Sequence, residues 1–149
     1  MAWFMPTLSP SSVAEYLAFG EYGYALSRFS GMWVGFKAIS ETVESCASVE
    51  LPTRRIFNPP AFEPPADGLH YRWPDLPGPQ IEHRLEAKKN AVLAFAAANP
   101  IDRKIYDIAN ATYGIVTTGK AHLDLMEALQ LLGLTESECR RIGIACSTQ

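Results

Sequence analysis

YALSRFSGMWVGFKAISETVESCASV, residues Tyr24 to Val49, decides how the chain is read, because a helix end, a turn, a strand and a polar segment follow one another within it. Helix-forming residues stop at Ser30-Gly31, where glycine can take the positive φ that closes a helix. Met32 to Phe36 then carry Trp33, Val34 and Phe36, which favour extended backbone. A helix therefore feeds a strand. Beyond Lys37 the chain turns polar, with Ser40, Glu41, Thr42, Glu44, Ser45 and Ser48 alternating loosely with Ile39, Val43 and Val49. That pattern is expected where a strand leaves a core for an edge or a site.

Upstream, Pro10-Ser11-Ser12 followed by Glu15 forms a capping box and predicts a helix from Ser12 to about Ser30. Val13, Tyr16, Leu17, Phe19, Tyr24, Leu26 and Phe29 give it a broad apolar surface. Gly20 and Gly23 each cost roughly 1 kcal/mol relative to Ala inside a helix, so they predict close approach of this backbone to a sheet. Downstream, Leu51 to Pro79 holds most of the chain's 11 prolines. Such a segment cannot sustain a helix or a central strand. It reads as a linker lying extended over a surface and burying Phe57, Phe62, Leu69, Tyr71 and Trp73, with Arg54-Arg55 a solvated edge rather than a phosphate clamp.

Helical period returns at Gln80 to Ala98. Ile81, Leu85, Val92, Phe95 and Ala96 fall on one side, and Glu82, Arg84, Glu86, Lys88 and Lys89 mostly off it. Asn99-Pro100 stops this helix. Lys104 to Ile108 and Tyr113 to Thr117 are strand candidates, and Ala121 to Leu132 a helix closed by Gly133. Thr135 and Glu138 form a second capping box, opening a short helix towards Arg141, and Ile142 to Cys146 begins another strand. Strand, helix, short helix, strand is the opening of an open α/β domain.

Three stretches carry a resemblance: LSRFSGMWVGFKAISETVESCASV from Leu26, LPTRRIFNPPAFEPPADGLHYRWPD from Leu51 and YGIVTTGKAHLDLMEALQLLGL from Tyr113. Together with the helix before them they resemble the long fused bacterial indolepyruvate ferredoxin oxidoreductases, members of the thiamine-dependent 2-oxoacid:ferredoxin oxidoreductase family, over almost the whole chain. The resemblance implies an α/β fold, a partial three-layer arrangement. Residues 1–50 would be the end of a pyrimidine-binding thiamine domain, 51–79 a Pro-rich linker, and 80–149 a helix plus the start of a transketolase C-terminal-like domain. It implies a parent that oxidatively decarboxylates indolepyruvate and related aryl 2-oxoacids to acyl-CoA with ferredoxin as electron acceptor. That parent would use thiamine diphosphate, magnesium and iron–sulfur clusters, with ferredoxin and coenzyme A as partners, and would form a homo-oligomer.

Against that family pattern, the sequence lacks the GDG-type stretch with a downstream Asn that holds magnesium and diphosphate, and the grouped cysteines of iron–sulfur clusters. The family's pyrimidine-protonating glutamate lies earlier in the domain than these residues reach, so Glu41 and Glu44 read as strand-end or interface carboxylates. The expectation is an internal fragment, inactive alone, with no catalytic residue, no metal and no cofactor of its own, whose partner is the rest of the parent enzyme. A free-standing α/β interaction or regulatory protein derived from such an enzyme is the second reading.

Composition narrows the classes further. A net charge of −3 argues against nucleic-acid or acidic-membrane partners, which call for a basic surface. The longest apolar run, Ala91 to Ala98, is far short of the roughly 20 residues that cross a bilayer. The first ten residues lack the charged n-region and cleavage site of a signal peptide, so a cytoplasmic location is expected. Cys46, Cys139 and Cys146 are odd in number and unpaired in spacing, as free thiols are. Gly114 to Ala121 fits the GxxxxGK part of a phosphate-binding loop. However, Ala121 stands where a magnesium-holding hydroxyl belongs, and Ile115 to Thr118 are β-branched, so the segment reads as strand and turn. His70, His83 and His122 show no metal-ligand spacing and read as surface or half-buried histidines.

Overall fold

The structure, a computed structural model, describes residues 4–51 and 53–148. Helices and sheets are mixed along the chain, as in an α/β protein. The described residues fall into two compact units, one gathering residues 4–8, 18–36 and 53–100, the other 9–17, 37–51 and 101–148.

In the first unit, strand β1 (Thr7–Leu8) pairs in parallel with β2 (Gly35–Phe36). Helix α1 (Val13–Ser30) contributes its residues from Ala18 onward, and α3 (Gln80–Ala98) is the other long helix. Phe19, Tyr22 and Leu26 of α1 and Ala91 and Phe95 of α3 are buried. The Tyr22 and Phe95 rings meet edge to face at 5.4 Å, and Phe57 lies 5.9 Å from Tyr22 and 5.7 Å from Phe95. Such offset aromatic pairs each add about 0.5–1.5 kcal/mol beyond the area they bury. The Pro-rich segment is fastened to the end of α3 by a reciprocal pair: Asn58 N–H donates to Asn99 Oδ1 at 2.7 Å, and Asn99 Nδ2 donates to Asn58 O at 2.9 Å.

The second unit is built on a three-stranded sheet in the order β3 (Arg103–Tyr106), β5 (Ile144–Thr148), β4 (Tyr113–Thr117). The central β5 runs antiparallel to β3 and parallel to β4, pairing Cys146 with both Tyr106 and Ile115. The parallel step from β4 to β5 is made through α4 (Lys120–Leu131) and α5 (Glu136–Ile142), since parallel neighbours need a long crossover. Ile108, Leu129, Cys139 and Cys146 form the core, with Ile105, Ile115, Leu125 and Ile144 packed against them. Thr135 Oγ1 accepts the Glu138 N–H at the start of α5 at 3.4 Å, and Gly143 ends it at φ 78°.

Several expectations are corrected. The strand expected over Met32 to Phe36 contracts to β2, because among the described residues the only partner it finds is the two-residue β1, a strand that the sequence did not announce. Beyond Lys37 the chain forms a single helical turn, α2 (Ser40–Val43), with Thr42 Oγ1 donating to Ile39 O, in place of an emerging strand. The expected strand at Lys104 to Ile108 lies at Arg103–Tyr106, and the one expected from Ile142 begins two residues later, since Ile142 closes α5. The capping box at α1 is shifted by one residue: Ser12 Oγ accepts the Glu15 N–H, but the Glu15 carboxylate accepts from Ser11 N–H at 2.8 Å and Ser11 Oγ at 2.7 Å. Of the two helix glycines, only Gly23 meets the small sheet, where an added Cβ would lie 3.1 Å from Leu8 Cδ1; Gly20 faces open space.

Candidate functional site

The first unit gathers its charges where the sequence placed apolar contacts. Arg84 and Lys88, expected off the buried side of α3, are 5% and 4% exposed, in line with Ala91 and Phe95. Their positions at i, i+4, i+7 and i+11 share one face, so the buried stripe is charged at its start and apolar at its end. Each of the two cations is held differently.

Arg84 is fully answered. Its Nε donates to Asp75 Oδ2 at 2.7 Å, its Nη2 to Asp67 Oδ2 at 2.7 Å and its Nη1 to Gly68 O at 2.6 Å. Asp75, 1% exposed, sits in a 3-10 turn over Trp73–Asp75, where its carboxylate also accepts the Arg72 N–H at 2.9 Å. Arg72 Nη2 closes the cluster on Asp67 at 2.8 Å. The Arg84 side chain, then the Arg72 backbone N–H, hold the Asp75 carboxyl down at about 2, because both stabilise its charged form. Asp67 is lowered mainly by the same arginine, whose own pKa is raised in return, chiefly by Asp75.

Lys88, one turn along α3, has no carboxylate partner among the described residues. Its Nζ donates to Gly31 O at 3.0 Å and lies 3.9 Å from the centre of the Tyr71 ring. Burial, and next the positive charge of Arg84, push its pKa below the ordinary lysine value. The end of α1 aims that carbonyl. Gly31 turns at φ 68°, while Ser30 Oγ donates back to Leu26 O at 2.8 Å and Ser27 Oγ donates to Met32 O at 2.8 Å, fixing the turn.

Around the lysine opens a cleft of about 620 Å³ lined by Met5, Met32, Trp33, Tyr71, Leu85 and Lys88, with Gly31 and His70 completing its wall. That volume lies within the roughly 300–1,000 Å³ of small-molecule sites. Chemically, the arrangement offers one buried cation, an imidazole and aromatic walls. Tyr71 and Trp73, expected to be buried by the linker, are instead exposed, while Phe57, Phe62 and Leu69 are half-buried as expected.

The other residues singled out in the sequence do not converge. Glu41 and Glu44 are exposed. Arg55 remains exposed, its guanidinium stacked 5.3 Å from the Phe57 ring centre. In the GxxxxGK stretch, Ile115–Thr117 are strand β4, Gly119 turns into α4 at φ 59°, and Lys120 pairs with Asp124 on the next turn. His70 and His83 are exposed, but His122 is buried on the first turn of α4 with its Nδ1 lacking a hydrogen-bond partner. Cys46 is an exposed free thiol, and Cys139 and Cys146 are buried free thiols, with burial pushing the Cys146 thiol pKa up. Among the described residues no group of three or more His, Cys, Asp or Glu could hold a metal ion, and no helix is long and apolar enough to cross a membrane.

Comparison with known proteins places one part of this architecture. Residues 103–148 match the family model described as the indolepyruvate oxidoreductase domain. The matched segment runs from the first residue of β3 to the last of β5, and thus takes in the whole three-stranded sheet and both crossover helices. This relates the second unit's sheet to indolepyruvate oxidoreductase. No curated protein and no solved structure matches the chain.

Proposed function

We propose that the chain is a segment of a thiamine-dependent 2-oxoacid:ferredoxin oxidoreductase that converts indolepyruvate and related aryl 2-oxoacids to acyl-CoA, and that it serves there as scaffold. The observation carrying this reading is the coincidence of the indolepyruvate oxidoreductase match with one complete β3-β4-α4-α5-β5 arrangement. In this reading the sheet is the start of a transketolase C-terminal-like domain, and the residues before the Pro-rich segment are the end of a pyrimidine-binding domain. The exposed side chains of Tyr113 and Val116 on edge strand β4 support the idea that the sheet meets further protein in the parent.

The described residues hold no cluster of three or more His, Cys, Asp or Glu that could ligate a metal ion. In this proposal magnesium, the iron–sulfur clusters and thiamine diphosphate belong to the rest of the enzyme, and no chemical step is assigned to this chain. The test is affinity purification of the tagged chain from its native cells, followed by assay of indolepyruvate- and coenzyme A-dependent reduction of a viologen dye. The chain is expected to show no turnover alone and to co-purify with thiamine-binding and iron–sulfur polypeptides that do. Turnover by the pure chain, or a co-purified set without that activity, would overturn the reading.

A further inference from the structure

We propose that the cleft around Lys88 is a binding site for a small aromatic monocarboxylate, its carboxylate paired with the Lys88 ammonium and its apolar body against Trp33, Met32 and Leu85.

Arg72, Arg84 and Lys88 bring three cations together, and Asp67 and Asp75 bring two carboxylates, both already engaged by the arginines. Lys88 is the cation left over, at 4% exposure. A buried ammonium without a counterion is costly, and one carbonyl and one ring face answer it only in part. Gly31 O takes one of its three N–H groups and the Tyr71 ring covers another side, which leaves one N–H for a ligand carboxylate.

Met5, Met32, Trp33, Tyr71 and Leu85 make the cleft mainly apolar and aromatic, with His70 as its only other ionisable side chain besides Tyr71 and Lys88 among the described lining residues. A single uncompensated cation in such a wall matches one negative charge on an apolar body. A phosphate dianion brings more charge and more acceptor oxygens than this wall provides for. Trp33, 85% exposed while lining the cleft, offers an aromatic ring to a ligand.

The inference does not depend on the proposed parent reaction, because binding is read on the purified full chain without turnover. Titration calorimetry with 1-naphthylacetate and with its neutral amide is the experiment. The acid is expected to bind at one site, and the amide at least tenfold more weakly. Lys88→Met is expected to bring the acid down to the amide's affinity, and the exposed Trp33→Ala to weaken both ligands. Equal affinity for acid and amide, no saturable acid binding, or displacement of the acid by equimolar inorganic phosphate would each overturn the assignment. If Lys88→Met does not fold, the acid–amide comparison on the unaltered chain and on Trp33→Ala decides alone.

Discussion

Asp75 and Gly31 show how single residues hold the cluster in the first unit. Asp75 has its pKa lowered from 3.8 to about 2 by Arg84 and the Arg72 N–H. A depressed carboxylate contributes stability that is fully present above its unfolded pKa and is lost as pH falls through the folded one. The loss therefore lies between about 3.8 and about 2. Urea midpoints measured across that interval are expected to fall steeply for the natural chain and to flatten for Asp75→Asn, which should also be the less stable of the two at neutral pH. An unchanged slope would mean that Asp75 is not the titrating group. At Gly31, φ is 68° and an added Cβ would stand 3.4 Å from Lys88 Cε. Gly31→Ala should cost about 1–2 kcal/mol from the left-handed backbone alone. Chemical denaturation checks this, and a loss under a few tenths of a kcal/mol would show that the turn relaxes.

Among the elements, α3 teaches most. Phe95 touches Tyr22, Phe29 and Phe57, so Phe95→Ala should cost roughly 3–5 kcal/mol, read from the denaturant midpoint and slope. The helix itself was legible from periodicity, and so were α1, α4, α5 and β4, because each has caps or breakers that act locally. The face of α3 was only half legible. Hydropathy assigns Arg84 and Lys88 to solvent, yet Asp67 and Asp75, brought in by a Pro-rich segment with no period to read, make a buried guanidinium tolerable. The same limit hid β1, whose two residues have no pattern and exist as a strand only through pairing with β2. The cleft was illegible for that reason: its wall comes from four separate stretches of sequence. By contrast, the reading of the GxxxxGK stretch as strand and turn was legible, since β-branched residues at 115–118 favour the extended backbone that three of them adopt in β4.

At the scale of the whole molecule, both units leave large apolar side chains in water, among them Ile56 and Trp73 in one and Val116 and Leu131 in the other. β4 is an edge of its sheet, and Val116 is 81% exposed on it. Unprotected edges template pairing with other chains, and lysine is the usual deterrent. Val116→Lys is expected to lower concentration-dependent light scattering while leaving the melting temperature within a degree or two; scattering that does not change would assign self-association to another surface. The order of the sheet has a further consequence during synthesis. β3 and β4 do not pair with each other, and β5, the strand that joins them, is made after both. While the ribosome is still translating the segment before Ile144, the nascent chain holds two strands with no partner and a helix pair with nothing to cover. Chaperone capture of this polypeptide should accordingly fall once residue 148 has left the exit tunnel.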